Sequence, residues 1–242
     1  MKGQGGFWSR PWFDYLKLLQ VLTSDFHVVW LLLMFAGLVA AWWIYVPLHE
    51  LMHAWGCLLA GGEVSRLEIS PEYGAAWLQD YFPYVAIGSE YAGQLVDFDT
   101  RGSDWIYLAT VYAPYLLTIF PGVPLLHTMF NRPWPSALQH FGIGLSLPLV
   151  IAPFVSLLGD FYELGSIVAS RLGQTFFLGH DTLRWRSDDL LLLAGEIAPT
   201  ADWRDWTGIA LGLLIGVIFA WATYAMGFFF RPRPKAKTFG RG

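Results

Sequence analysis

The chain has 242 residues, of which 55% are hydrophobic, 17% aromatic and only 14% charged. Soluble domains carry about 25% charged residues, so this composition excludes an ordinary soluble enzyme and favours a protein that faces lipid. The net charge of −4 and the absence of a basic stripe argue against a nucleic-acid partner. Cys57 is the single cysteine, so the chain forms no internal disulfide.

The chain divides into three parts by composition. Residues 1–25 mix charged and aromatic side chains without the pattern of a cleaved signal peptide, and we expect them to form an interfacial segment. Residues 26–230 are predominantly apolar and predict a single membrane domain. Residues 231–242 carry five basic and no acidic side chains and form a basic tail.

Four stretches of the membrane domain are long enough to cross a bilayer, which takes about 20 mostly apolar residues. Tryptophans, which favour the membrane–water interface, lie near several of their ends. The predicted helices cover residues 26–60, 105–130, 136–172 and 206–230.

Prolines interrupt two of these stretches. Pro148 and Pro153 predict a kink or break in the third helix. Tyr112-Ala113-Pro114-Tyr115 and Pro121-Gly122 interrupt the second. We interpret these two interruptions as packing kinks in preference to a mobile segment beside a site.

A short polar-apolar alternation follows the first predicted helix. Glu63-Val64-Ser65-Arg66-Leu67-Glu68-Ile69 lies between Gly61-Gly62 and Ser70-Pro71 and predicts a strand. The segment from Tyr73 to Leu78 is its expected partner. The predicted fold is therefore an all-α integral membrane protein of about four transmembrane helices, with a small β-hairpin after the first.

The charges of the loops predict the orientation of the chain. Residues 61–104 hold eight acids and two arginines, and residues 173–205 hold six acids and three arginines. Because basic residues stay on the cytoplasmic side, both termini and the 131–135 turn are expected in the cytoplasm. The expected location is the bacterial inner (plasma) membrane, where the chain passes several times through the lipid bilayer.

The motif with the clearest chemistry is His49-Glu50-Leu51-Met52-His53 at the end of the first predicted helix. Residues i and i+4 share a helix face, so His49 and His53 can bind one metal ion from the same side. Zn²⁺ suits two imidazoles, and a catalytic zinc site needs three protein ligands. Glu50 is then placed to take a proton from water and pass it to a leaving group. The alternative is a buried polar cluster that only hydrogen-bonds neighbouring helices.

A third ligand has to come from another part of the chain. Asp160 and Glu163 lie in an apolar stretch, where carboxylates are costly without a cation. We favour Asp160 as the ligand; Glu163 is the rival, or else it orients a ligand histidine. Weaker candidates are more isolated or better explained by packing: His127, His140, His180 and Cys57.

The residues 40–172 resemble the site-2 protease family of intramembrane zinc metalloproteases. His49-Glu50-Leu51-Met52-His53-Ala54 followed by Gly61-Gly62-Glu63-Val64 is similar to that family's metal helix and membrane-associated hairpin, and Ala113-Pro114 resembles its Gly-Pro helix start. Leu158-Gly159-Asp160 falls where the family has Leu-Asp-Gly. The resemblance implies that His49, His53 and Asp160 are zinc ligands and that Glu50 is the general base.

Three positions differ from the family pattern. Ala152 and Val155 stand where the family has an asparagine and a proline, and Gly159 precedes the aspartate instead of following it. The family's asparagine is expected to help hold the substrate, so its replacement bears on proteolysis more than on metal binding.

Three functions are compatible with these features. The favoured one is a zinc-dependent metalloendopeptidase that cleaves membrane-spanning protein substrates in or near the bilayer. The second is a non-catalytic subunit that keeps the metal site for structure and associates with other membrane subunits. The third is a metal-dependent hydrolase acting on lipids or small molecules.

Overall fold

The computed structural model describes residues 6–24 and 27–231. Most of these residues are helical, and a small sheet lies between the second and fourth helices. The helices are α1 Arg10–Ser24, α2 Val28–Leu59, α3 Ala75–Gln79, α4 Asp104–Tyr112, α5 Val123–Asn131, α6 Ser136–Val155, α7 Asp160–Phe176, α8 Leu190–Ile197 and α9 Trp203–Gly227. The strands are β1 Glu63–Ile69, β2 Val85–Ile87 and β3 Gly93–Asp99.

Within the described residues, four helical segments are long and apolar enough to cross a membrane, as the sequence predicts. Their bounds lie within three residues of the predicted ones, except for the end of the third. They are Val28–Leu59, Asp104–Asn131, Ser136–Leu158 and Trp203–Phe230. In the predicted interfacial segment, α1 packs beside them and its Tyr15 hydroxyl donates to the Val150 carbonyl at 3.0 Å. The basic tail beyond Arg231 lies outside the described residues.

The second span is interrupted where the sequence predicts. After α4, a 3₁₀ turn covers Ala113–Tyr115 and a π-helical turn covers Thr118–Gly122 before α5 begins. Proline has no backbone N–H and cannot complete the regular helical hydrogen bonds, so Pro114 and Pro121 account for both irregular turns.

The third span differs from the prediction of one helix over 136–172. α6 continues through Pro148 and Pro153 to Val155, a 3₁₀ turn covers Ser156–Leu158, and α7 begins at Asp160. The break lies at Gly159, whose φ of −104° and ψ of −117° are not helical. Both prolines thus lie inside a continuous α6, and the break comes at the glycine instead.

The predicted strand Glu63–Ile69 is confirmed as β1, but its predicted hairpin partner is wrong, and the sheet has three strands in the order β2-β1-β3. β1 pairs in parallel with β2 and antiparallel with β3. The expected partner strand is helical instead: Pro71 begins a 3₁₀ turn, and Gly74, at φ 79°, leads into α3. Leu67 and Ile69 of β1 are fully buried, and they hold the sheet against the end of α2.

Close contacts between helices bring the third span to the end of α2. Gly144 of α6 lies against the Met34 carbonyl of α2, and Ser156 borders the same cavity as His49. α2 and α6 therefore run in the same direction. Small residues allow such close backbone contacts between apolar helices. The start of α7, just past the break, consequently lies level with the His-Glu-x-x-His motif.

Candidate metal centre

The motif histidines share one face of α2, which continues without a break through Pro47. Their Nε2 atoms lie 3.2 Å apart. Asp160, the first residue of α7, places its Oδ2 atom 3.5 Å from His49 Nε2 and 3.6 Å from His53 Nε2. The three side chains predicted as ligands thus converge on one point, and together they form a group able to hold a metal ion.

The size of this triangle fits a tetrahedral zinc ion. Zinc bonds to nitrogen and oxygen are about 2.0–2.2 Å long, so ligand atoms around a tetrahedral ion lie about 3.3–3.6 Å apart. The three measured edges of 3.2–3.6 Å match that separation. Three such atoms would leave the fourth position of a tetrahedral ion free, as catalytic zinc sites require.

The orientation of His53 follows from a proline in the 3₁₀ turn after α4. His53 Nδ1 lies 2.9 Å from the Thr110 carbonyl, which only accepts hydrogen bonds, so the proton is on Nδ1 and the lone pair is on Nε2. In a regular α-helix the Thr110 carbonyl would accept from the N–H of residue 114. Residue 114 is proline, so this carbonyl is free to accept from the imidazole.

Tyrosine hydroxyls hold the other two members of the triangle. Tyr45 Oη lies 2.7 Å from His49 Nδ1, on the same face of α2. The fully buried Tyr115 donates to Asp160 Oδ2 at 2.6 Å. Tyr45 binds the nitrogen of His49 that points away from the triangle, whereas Tyr115 binds the same Asp160 oxygen that faces the two histidines. Hydrogen bonds of this kind orient metal ligands and tune their affinity.

Glu50 lies beside the triangle and lines the same cavity as His49, His53 and Asp160. Strand β3 passes directly over it at Gly93, where an added Cβ atom would lie 2.5 Å from Glu50 Cγ. A larger residue at position 93 would therefore have to displace the Glu50 side chain, and glycine lets the strand approach it this closely.

The rival ligand, Glu163, is outside this triangle. It is buried, and its Oε1 accepts a short hydrogen bond from the Tyr107 hydroxyl. It lines the cavity one helical turn from Asp160, where it contributes to the polar surroundings of the site.

The other candidates from the sequence lie elsewhere. His127 contacts Asp14, His140 stacks on an indole, and Cys57 faces the carbonyl of Glu63. His180 forms a second group of possible ligands with Asp202 and Asp205. The carboxylates of that group already accept hydrogen bonds from the protein. Asp205 accepts from Trp185, and both aspartates cap the start of α9.

Sequence reasoning missed Tyr45, Tyr115 and the Thr110 carbonyl. Tyr45 precedes His49 by four residues, a spacing that places it on the same helix face and was available as a signal. Tyr115 lies in the interruption around Pro114, which the sequence predicts only as a packing kink. Its contact with Asp160 depends on the packing of two distant helices and has no local signal.

Comparison with known proteins finds no match among protein-family models, curated proteins or solved structures. No relative therefore supplies a function for the chain. Its function has to follow from its own residues and their geometry.

Proposed function

We propose that the protein is an integral membrane zinc metalloendopeptidase of the site-2 protease type, which cleaves membrane-spanning proteins within or near the bilayer. The observation that supports this proposal is the triangle of His49, His53 and Asp160 with Glu50 beside it in an accessible cavity. The cavity lies among helices that are long and apolar enough to span a membrane.

The side chains divide the chemistry between them. Zinc, when bound, polarises a peptide carbonyl and makes water a better nucleophile at neutral pH. Glu50 accepts the proton of the attacking water and then delivers it to the departing amine nitrogen. His49, His53 and Asp160 hold their positions through Tyr45, the Thr110 carbonyl and Tyr115.

Strand β3 supports a peptide as the substrate. It is an edge strand of the described sheet, and Gly93, Gln94 and Leu95 line the cavity beside Glu50. An extended peptide can add to such an edge through main-chain hydrogen bonds. A substrate helix has to unwind to do so, and this brings a peptide bond to the general base.

We further propose that the chain lies in the plasma membrane with both termini in the cytoplasm. The acidic loops and the basic tail support this orientation through the distribution of basic residues. Reporter fusions to the C-terminus would test it, because a reporter active only outside the cytoplasm should stay silent.

The experiment compares purified wild-type protein with Glu50→Gln in liposomes that contain a fluorescently labelled transmembrane peptide. Losing the general base should lower the cleavage rate by about 10²- to 10⁴-fold while about one zinc per chain remains bound. Glu196→Gln, on the exposed side of α8, is the matched control and should cleave normally.

Equal cleavage by wild type and Glu50→Gln would overturn the assignment of the base. Zinc-loaded wild type that cleaves none of a panel of transmembrane peptides would favour the non-catalytic subunit instead. Zinc-dependent hydrolysis of lipid esters alone would favour the third function.

A further inference from the structure

Two cavities of opposite character meet at the candidate site, and His49 and Glu50 line both of them. One cavity has a volume of about 380 Å³ and contains the three ligand atoms. The other has a volume of about 190 Å³ and extends between α2 and α6. A peptide bond held beside Glu50 therefore has different surroundings on its two sides.

The larger cavity is acidic. Besides Glu50, Asp160 and Glu163, it is lined by Asp188 and Asp189, which are exposed at its mouth. Among the described residues that line it there is no lysine or arginine. A bound divalent ion would offset only part of this negative charge.

The nearby arginine does not neutralise the negative charge at the mouth of the larger cavity. Arg186 follows α7 in the chain, but its guanidinium binds both carboxylate oxygens of Asp104, at 2.8 and 3.0 Å, and Ser170 Oγ at 2.7 Å. Asp189 uses one carboxylate oxygen to cap α8. Asp188 has no such structural bond among the described residues, so its charge is available to a ligand.

The smaller cavity is apolar and opens toward the outer surface of the helices. Val155, 71% exposed, and Trp42, 45% exposed, lie at its rim. Ala152 and Pro148 form its inner wall. Its size suits one large apolar side chain, and its rim residues belong to the surface that faces lipid if the four helices span a membrane.

The start of β3 runs between the two cavities. Ala92 lines the apolar cavity, and the next residue, Gly93, lines the acidic one. Successive residues of an extended chain point to opposite sides. A peptide paired with this edge would accordingly direct neighbouring side chains into the two different cavities.

From this arrangement we infer the substrate class: a segment with a large apolar residue on one side of the cleaved bond and a basic residue on the other. The inference rests on the proposed function, because it assigns both cavities to the substrate of that site. The apolar cavity takes the side chain that leaves the bilayer, and Asp188 with its acidic surroundings takes the basic one. In the orientation proposed above, such a segment is an apolar helix with a basic residue at its non-cytoplasmic end.

Binding can be measured without cleavage by using the Glu50→Gln protein in detergent micelles. The probes are fluorescein-labelled peptides with a leucine followed by Lys-Lys, matched by peptides in which Glu-Glu replaces Lys-Lys or alanine replaces the leucine. Fluorescence anisotropy then gives a dissociation constant for each peptide.

The Lys-Lys peptide should bind more tightly than the Glu-Glu peptide, and added salt should reduce the difference. Asp188→Asn should weaken Lys-Lys binding by about two- to fivefold, as expected for a partly exposed charge pair. The matched control, Asp80→Asn, removes an exposed charge outside the cavity and should leave binding unchanged.

Replacing the peptide's leucine by alanine should weaken binding by about 10-fold or more, because a buried apolar side chain is lost. Ala152→Phe fills the cavity and should abolish this preference for leucine. Ala36→Phe, on the exposed face of α2, is its control. The peptide substitution uses unchanged protein, so it remains decisive even if Ala152→Phe does not fold.

Equal binding of the Lys-Lys and Glu-Glu peptides would overturn the charge assignment, and equal binding of the leucine and alanine peptides would overturn the apolar one. A failure of the proposed peptidase function would give a different result from a failure of the substrate assignment. Wild type would then bind peptides with these preferences but would not cleave them.

Discussion

Two regions of the molecule bury histidine with aspartate, and they use the pair differently. At the end away from the sheet, His127 Nε2 lies 2.8 Å from Asp14 Oδ2, and both residues are at least 97% buried. The same Asp14 oxygen accepts from Tyr224 at 3.3 Å. The hydrogen bonds of this pair are made within the protein, and they link α1 to α5 and α9.

The candidate metal centre has the opposite arrangement. The Nδ1 atoms of His49 and His53 are hydrogen-bonded to Tyr45 and to the Thr110 carbonyl, and the two Nε2 atoms face Asp160 Oδ2 at 3.5 and 3.6 Å. Asp160 keeps 25% of its side chain exposed. Titratable side chains in apolar helices are therefore not enough to identify a metal site. The distinguishing feature is that possible ligand atoms converge beside an open cavity.

The largest expected difference between the two regions is in metal content. Wild type should bind about one zinc ion per chain. His49→Ala and Asp160→Ala should each lose it, because two ligands do not complete the site. His127→Ala, which removes the same side chain at the other end, should keep it. Elemental mass spectrometry on detergent-purified protein measures all three.

Zinc that survives in Asp160→Ala would move the third ligand to another residue, with Glu163 as the nearest carboxylate. Zinc lost in His127→Ala from folded protein would contradict the separation of the two regions.

The next difference is in stability. Asp14→Ala should destabilise the protein by about 3–5 kcal/mol, because it leaves His127 buried without its partner. Asp160→Ala in zinc-free protein should cost much less, since Asp160 is partly exposed. Thermal unfolding followed by circular dichroism in micelles compares the two. Asp14→Asn, which keeps an acceptor oxygen, is expected to fall between them.

A smaller effect is expected from the groups behind the ligands. Tyr115→Phe removes the hydrogen bond to Asp160 and should weaken zinc binding by about 10- to 100-fold. Tyr224→Phe makes the same change beside Asp14 and should leave the zinc affinity unchanged. Competition with a zinc-binding dye gives both values, and equal affinities in the two variants would contradict a role for Tyr115.

The smallest change is the addition of one N–H group. Pro114→Ala supplies a donor that competes with His53 for the Thr110 carbonyl. We therefore expect it to reduce zinc affinity, but by less than Tyr115→Phe does. Pro121→Ala, in the other interruption of the same span, is the control. No difference between the two proline variants would mean that the free carbonyl does not matter.

Much of the fold could be predicted because its signals are local. Apolar length predicts the four long helices, and the i, i+4 spacing places His49 and His53 on one face of α2. The hairpin prediction failed because β1 pairs with two distant segments, and nothing within Tyr73–Leu78 indicates that it is helical in this context. The break at Gly159 was expected at Pro148 or Pro153, since proline is the stronger local signal.

The candidate site divides in the same way. The position of Asp160 beside the two histidines was expected from the cost of a carboxylate in an apolar stretch and from the family resemblance. The roles of Tyr115 and the Thr110 carbonyl depend on how α4, α7 and α2 pack, and no spacing along the chain reveals them.

The contact between Gly93 and Glu50 leaves no free space between β3 and α2. Even a methyl group at position 93 would overlap Glu50 Cγ. A shift of β3 toward α2 at this position would therefore have to displace the Glu50 side chain, so the position of the strand limits the positions open to this carboxylate.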